Sequence, residues 1–87
     1  MEFEWDEKKS RANKSKHGID FNIATKLWKD RDRIEIQTNF PVENRNAIIG
    51  KIGDKLWTAI CTRREDAIRI ISVRRARKKE IKLYEHK

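Results

Sequence analysis

The chain lacks residues on which several classes of protein depend. Its one cysteine, Cys61, excludes an internal disulfide and a cysteine metal cluster, and predicts a reducing compartment. Cys61 lies in an apolar run, where cysteine usually behaves as a small hydrophobe. No apolar run approaches the roughly 18 residues of a membrane span, and the N-terminus has no signal-peptide pattern. We therefore expect a cytoplasmic protein without membrane association.

Glycine and catalytic groupings are also scarce. The chain has three glycines and no glycine-rich phosphate loop. Its serines lack the context of a nucleophile elbow, and no histidine, aspartate and glutamate have the spacing of metal ligands. These absences argue against metal-dependent hydrolysis, nucleotide-dependent chemistry and serine or cysteine catalysis. We expect no metal and no cofactor.

Positive charge is abundant and uneven. The 87 residues predict one domain, 1–87, with 41% charged residues and a net charge of +8. Residues 67–87 account for +6 of that charge, and the stretch "ISVRRARKKE" holds five positive charges in ten residues. Like charges oppose compaction, so two interpretations stand. The cluster is either a solvated helix face or a surface that binds nucleic acid or an acidic protein.

Periodicity predicts the elements. Residues 2–5 alternate as a short strand, and a first helix runs from the cap at Asp6 to His17, with Gly18 as the residue that ends it and Ala12 as a candidate for its buried side. A second helix starts after Asp20 and carries an apolar stripe. Strands are predicted at 33–37, 46–53, 55–63 and 67–75, with a loop around Pro41, a hairpin at Gly53–Asp54 and a last helix within 76–87. We predict an α+β fold with two N-terminal helices, a four-stranded, mostly antiparallel sheet and a C-terminal helix.

Strand 67–75 is apolar on both faces, with Ile68 and Ile70 on one side and Ile71 and Val73 on the other. Such a strand belongs inside a sheet covered by other layers. Antiparallel pairing with strand 55–63 would place Arg63 and Arg64 at one end and Arg74 and Arg75 at the other. We interpret the first pair as a solvated turn and the second as a phosphate-binding site, because guanidinium groups match phosphate oxygens.

His17 has two interpretations. A cation at a helix C-terminus interacts well with the helix dipole, which is a structural role. An imidazole is also suited to acid–base catalysis near neutral pH. RNA brings its own nucleophile, the 2′-OH, so a basic protein with Arg, Lys, His, Glu and Tyr could cleave RNA without a metal.

Several motifs resemble the BrnT family of type II toxins. They are "FEWDEKK" followed by Asn13, "KHGIDF" followed by Ala24, Arg45 followed by "IG", and "IRIISVRRA" followed by Glu80 and Tyr84. Each is weak alone, but together they span nearly the whole chain in a fairly specific order.

The resemblance implies a small RelE-like domain and a metal-independent endoribonuclease that cleaves RNA and inhibits growth. It also implies a BrnA-like antitoxin whose DNA-binding part lets the pair bind its operator. The candidate catalytic residues are His17, Arg74, Glu80 and Tyr84. The candidate RNA-binding residues are Lys16, Arg45, Arg75, Lys78 and Lys79, and we expect folding to leave Arg74 open to a phosphate.

The alternative is a non-catalytic module that uses the same charge to bind nucleic acid or an antitoxin. Such a module needs no proton-transfer residues, and it would bind RNA with a steep salt dependence without cutting it. A degenerate toxin that still pairs with its antitoxin is a third possibility. The chain has three Phe, three Trp and one Tyr, mostly at core-like positions, which disfavours a single-strand binder that stacks bases.

Overall fold

The computed structural model describes residues 2–38 and 44–86, so the predicted loop around Pro41 lies partly outside the described residues. These residues form an α+β arrangement, as predicted. Its elements are β1 (Glu2–Glu4), α1 (Glu7–His17), α2 (Phe21–Ala24), a 3₁₀ helix (Thr25–Lys29), β2 (Ile34–Thr38), β3 (Arg45–Ile52), β4 (Lys55–Arg64), β5 (Ala67–Arg75) and α3 (Lys78–Glu85). None of the helices in the described ranges is long and apolar enough to cross a bilayer.

The sheet has five strands in the order β1-β5-β4-β3-β2 and is mixed. The prediction of a four-stranded sheet was wrong because the short N-terminal strand, β1, joins it, parallel to β5, with Glu2 opposite Ala67. The other three neighbouring pairs are antiparallel, as predicted. A strand of three residues is held by pairing with a segment more than 60 residues away, and local alternation does not reveal such a partner.

The main core lies between one face of the sheet and the second helical segment. Phe21, Ala24 and Leu27 are at most 1% exposed and pack with Ile48 and Ala59 of the sheet. The predicted single helix is instead α2 followed by a 3₁₀ helix. In a 3₁₀ helix residues three apart lie above one another, which keeps Ala24 and Leu27 aligned toward the core.

Cys61 belongs to this core, as predicted, with 2% of its surface exposed. Burial, and to a lesser degree the negative charge of Glu35, raises the pKa of the Cys61 thiol to about 11. The reactive form of cysteine is the thiolate, which this environment disfavours at neutral pH. Cys61 is therefore a packing residue, not a nucleophile.

Helix α1 is attached to α2 and to the sheet by polar side chains, not by Ala12, which is exposed. The buried residues of α1 are Ser10 and Asn13. Ser10 Oγ accepts a hydrogen bond from the Phe21 amide at 2.9 Å, and Asn13 Oδ1 accepts one from the Val73 amide at 3.1 Å. On this side of β5, the neighbouring strand β1 pairs only with residues 67–69. The Asn13 side chain therefore takes the place of a strand and accepts the hydrogen bond of the Val73 amide.

The β3–β4 and β4–β5 connections follow the prediction. Residues 53–54 form the turn between β3 and β4, and Gly53 adopts φ 65°, a conformation that favours glycine. β4 and β5 are antiparallel, with Arg64 opposite Ala67 and Thr58 opposite Arg74. The two arginine pairs therefore lie at opposite ends of this hairpin, as predicted.

Candidate functional site

A partly buried ionic cluster joins β5, β4 and α3. Arg74 donates from Nη1 to Glu80 Oε1 and from Nη2 to Glu80 Oε2, each at 2.8 Å. Glu80 Oε1 also accepts from the Thr58 hydroxyl at 2.9 Å and from the Arg77 amide at 2.7 Å. The side chains of Arg74 and Glu80 are 22% and 18% exposed. We call Arg74, Glu80, Thr58 and the Arg77 amide the Arg74 cluster.

Local structure brings these groups together. Thr58 and Arg74 are directly opposite on neighbouring strands, so their side chains extend from the same face of the sheet. Glu80 lies in the first turn of α3, where its carboxylate caps the amide of Arg77 and faces the positive end of the helix dipole. The helix thus begins where its acidic residue reaches both its own N-terminus and the arginine of the sheet.

A bulge in β5 decides which face Arg74 occupies. Ile60 pairs with Ser72 and Cys61 with Ile70, which leaves Ile71 as an extra residue. The prediction that Val73 faces away from Ile68 and Ile70 was wrong, because all three belong to the same core. An extra residue reverses the alternation that follows it. It therefore directs Arg74 to the face of Thr58 and α3 instead of the main core.

The ion pair fixes the protonation of Glu80. The hydrogen bonds from Arg74, with smaller contributions from the Arg77 amide and the Thr58 hydroxyl, lower the pKa of Glu80 to about 2 against the opposing effect of burial. The same pair raises the pKa of Arg74. A carboxylate with so low a pKa accepts protons poorly at neutral pH. In this arrangement Glu80 is suited to hold Arg74 rather than to act as a base.

Arg74 is more restrained than the sequence predicted, because Glu80 occupies the edge of the guanidinium formed by Nη1 and Nη2. Nη1 also lies 3.3 Å from the Arg75 carbonyl oxygen. A guanidinium has five N–H donors in a planar fork. Among the described residues, the Nε–H of Arg74 has no hydrogen-bond partner. The side edge formed by Nε and Nη2 therefore retains two donors in the arrangement that a bidentate contact with an oxyanion requires.

Arg75 does not join the Arg74 cluster. It is opposite Trp57 in the sheet, and its guanidinium carbon lies 5.6 Å from the centre of the Trp57 ring. Because successive residues of a strand point to opposite faces, Arg74 and Arg75 are separated by the sheet. Arg75 is exposed and stacks on an aromatic ring, so the predicted double-arginine site is divided between two faces.

Tyr84 lies further along α3 and contacts a second carboxylate. Its hydroxyl donates to Asp30 Oδ2 at 2.8 Å, and the Lys51 amide donates to the same oxygen at 2.8 Å. Burial and the hydrogen bond to Asp30 raise the pKa of Tyr84 to about 12. A side chain at Gly50 would meet Leu27 at 3.1 Å and Asp30 at 3.4 Å, so glycine permits this close approach.

His17 and Lys16 end α1. His17 is the last residue of the helix, and Gly18 follows with φ 96° in the left-handed conformation, as the sequence predicted. His17 lies about one helical turn beyond Asn13. Asn13 binds the backbone of Val73, the residue directly before Arg74. The fold thus carries this end of α1 to the strand that holds Arg74, and a proton-transfer role for His17 stays a prediction.

The other predicted RNA-binding residues are dispersed. Arg45 extends from the same face of the sheet as Arg74, but it is two strands away and four positions along, roughly 15 Å by strand geometry. Lys78 and Lys79 are exposed in the first turn of α3, close in sequence to Glu80. Two surface depressions lie elsewhere and contain none of the predicted site residues. One is lined by Glu2, Glu4, Arg64, Glu65, Asp66 and Ala67, and the other by Glu35, Gln37, Asn44, Asn46 and Arg63.

Thr58 and Asp30 were missed at the sequence level. Thr58 occupies an apolar strand segment and is fully buried, so its composition resembles core packing. The signal that could have found it is a hydroxyl at a buried strand position, which is unfavourable unless it is hydrogen-bonded. Asp30 lies at the end of a helical segment, and nothing in the neighbouring sequence indicates its contact with Tyr84, 54 positions away.

Comparison with known proteins identifies the family. Residues 5–80 match the family model described as the ribonuclease toxin BrnT of type II toxin-antitoxin systems. The chain belongs to the BrnT family. This result confirms the family resemblance found from the motifs, and it supports a toxin role and ribonuclease activity in general terms. Within the matched BrnT region lie all four members of the Arg74 cluster, whereas Tyr84 lies beyond it. No curated protein matched the chain.

Proposed function

We propose that this BrnT protein is a metal-independent endoribonuclease that cleaves RNA through its 2′-OH. The observation that carries the proposal is the Arg74 guanidinium. It is held by two hydrogen bonds from Nη1 and Nη2 to Glu80, while its side edge retains donors. Such a pre-oriented cation is suited to stabilise negative charge that develops on a phosphate.

In the proposed reaction the 2′-oxygen forms a bond to phosphorus and the bond from phosphorus to the 5′-oxygen breaks. The products are a 2′,3′-cyclic phosphate and a 5′-hydroxyl. A base takes the 2′ proton and an acid supplies a proton to the leaving oxygen. His17 is the best candidate for proton transfer, because the pKa of Glu80 is about 2 and that of Tyr84 is about 12.

The lysines next to the cluster fit a ligand better than a structural role. Lys78 and Lys79 occupy the first turn of α3, where cations interact unfavourably with the helix dipole. A phosphate backbone along this end of the helix would offset that repulsion. We assign them to backbone contacts near Arg74, and Lys16, Arg45 and Arg75 to contacts further from the scissile bond.

Membership of a type II toxin family also motivates a partner. We propose that a BrnA-like antitoxin neutralises this chain by covering the basic surface around α3, and that the complex binds its operator through the antitoxin. A net charge of +8 favours fast association with an acidic segment. Isothermal titration with the protein encoded next to this gene, at increasing salt, tests this assignment.

The function is tested with purified protein and an RNA oligonucleotide in EDTA. We expect cleavage by the wild type, loss of cleavage when the scissile nucleotide is 2′-deoxy, and a cyclic phosphate on the product. Arg74→Ala should abolish cleavage, and Arg63→Ala is the matched control because it removes an equal charge at the other end of the hairpin. In cells, equal growth and intact RNA with accumulated wild type and Arg74→Ala would contradict the proposal.

A non-catalytic nucleic-acid-binding or antitoxin-pairing module is the second candidate. It is favoured by the pKa values of Glu80 and Tyr84, which lie far from neutrality in opposite directions. RNA that binds with a steep salt dependence and stays uncut, with and without EDTA, would support this candidate instead.

A further inference from the structure

The hydroxyl of Thr58 occupies a position where packing alone would favour a hydrocarbon. Thr58 is fully buried in the middle strand of the sheet, between Ile49 on β3 and Arg74 on β5. Valine has the same shape and an equal preference for strands, without the penalty of burying a hydroxyl. In Thr58 this penalty is offset by one hydrogen bond, which the hydroxyl donates to Glu80 Oε1 at 2.9 Å.

That hydrogen bond fixes the orientation of the carboxylate. Glu80 Oε1 is held by Thr58 from the sheet and by the Arg77 amide from α3. Two donors on different elements fix the position of this oxygen. The carboxylate in turn holds the plane of the Arg74 guanidinium through two parallel hydrogen bonds. Without the hydroxyl, the carboxylate would be tied to α3 and to Arg74 but not to β4.

We propose that Thr58 is a positioning residue for Arg74, which acts through Glu80 and sets the direction in which the side edge of the guanidinium meets a phosphate. The proposal rests on the proposed function for its catalytic consequence. The positioning of Glu80 can be tested independently of that function, because the pKa of Glu80 can be measured without RNA. A guanidinium whose carboxylate partner is tied to α3 alone would still attract RNA by its charge but would stabilise the developing charge less well.

The test compares Thr58→Val, Thr58→Ser and the control Thr62→Val. Thr62 is a second buried threonine on β4, and its hydroxyl donates to the Asn44 carbonyl instead of to the cluster. We expect Thr58→Val to lower kcat about tenfold and to leave KM within about twofold of the wild-type value. The tenfold figure corresponds to the loss of one hydrogen bond to a charged group. Thr58→Ser should restore kcat, and Thr62→Val should leave it near the wild-type value.

The carboxyl titration of Glu80 by carbon NMR provides the readout that does not depend on cleavage. The pKa of Glu80 should rise in Thr58→Val and return toward about 2 in Thr58→Ser, because the Thr58 hydrogen bond stabilises the ionised carboxylate. If Val unfolds the chain, Thr58→Cys, a weak donor of similar size, replaces it. An unchanged titration and unchanged kcat would overturn the proposal. If the wild type cuts no RNA but the titration shifts as expected, the proposed function fails while the positioning of Glu80 stands.

Discussion

The two ends of the β4–β5 hairpin each carry a pair of adjacent arginines, but only one end holds an arginine in a fixed orientation. Arg63 and Arg64 are exposed beside the turn at 65–66, and beyond the backbone pairing of β4 with β5 their side chains make no hydrogen bond or ion pair with another described residue. Arg74, by contrast, is bound to Glu80 and through it to Thr58. Exposed charges contribute to attraction at a distance, whereas a fixed guanidinium can recognise one geometry. Charge is therefore common to both ends, and orientation distinguishes them.

The largest expected effect separates charge from orientation directly. Arg74→Lys keeps the positive charge but loses the planar fork that Glu80 holds. We expect a fall in kcat/KM of roughly 100-fold, typical of a lost oxyanion contact. The same change at Arg63 should alter kcat/KM less than about twofold. Steady-state cleavage of one RNA oligonucleotide measures both variants, and equal losses at the two positions would show that charge alone matters.

The ordered end should also depend on the polar anchor of α1. Asn13→Leu removes the acceptor of the Val73 amide and leaves that donor buried beside Arg74. We expect a loss of about 2 kcal/mol in the free energy of unfolding, measured by urea denaturation. Lys14→Ala, an exposed change on the same helix, should stay within about 0.5 kcal/mol of the wild type. Equal stability of Asn13→Leu and Lys14→Ala would contradict the anchoring role.

The pH dependence of stability sharpens the comparison further. The pKa of Glu80 is lowered from 4.5 to about 2. Its contribution is thus present above pH 4.5 and is lost as the pH falls toward 2. Glu80→Gln should be less stable than the wild type at pH 6, by about 1 kcal/mol, and the difference should shrink across this window. Glu85→Gln, on the exposed side of the same helix, serves as the control, and a difference that does not change with pH would contradict the assignment.

The smallest expected effect concerns the far end of α3. None of its residues is buried in the described structure, and Tyr84 ties it to Asp30. Tyr84→Phe should lower the free energy of unfolding by at most about 1 kcal/mol. Hydrogen exchange should accelerate in the last turn of α3 more than in β4. Uniform acceleration across the chain would show that the contact does not hold the helix locally.

Local patterns predicted most of the fold but not the facing of Arg74. The caps of α1, the Gly53 turn and the opposite ends of the arginine pairs follow from spacing and turn chemistry, and the structure confirms them. The face of Arg74 depends on the bulge at Ile71, and a bulge depends on how two strands pair rather than on the sequence of one. For the same reason, Val73 was assigned to the wrong face of the strand.

The same reason explains which parts of the site were found. Arg74 and Glu80 were found through charge and motif order. Their pairing needed the start of α3 to lie over β4, which a linear sequence does not reveal. Thr58 was missed because a buried threonine in a strand looks like packing. Asn13 was named in a motif, but its anchoring role was not predicted because its partner is an amide 60 positions away.

The most direct test measures the order and binding of each arginine side chain by nitrogen NMR of the Nε–H groups. The account predicts that Arg74 is rigid and that Arg63 and Arg64 are mobile in the wild type. On titration with an uncleavable 2′-deoxy oligonucleotide, the Arg74 Nε–H should shift more than theirs. Equal mobility at both ends, or an Arg74 signal that does not respond to the oligonucleotide, would contradict the claim that an oriented guanidinium makes the site.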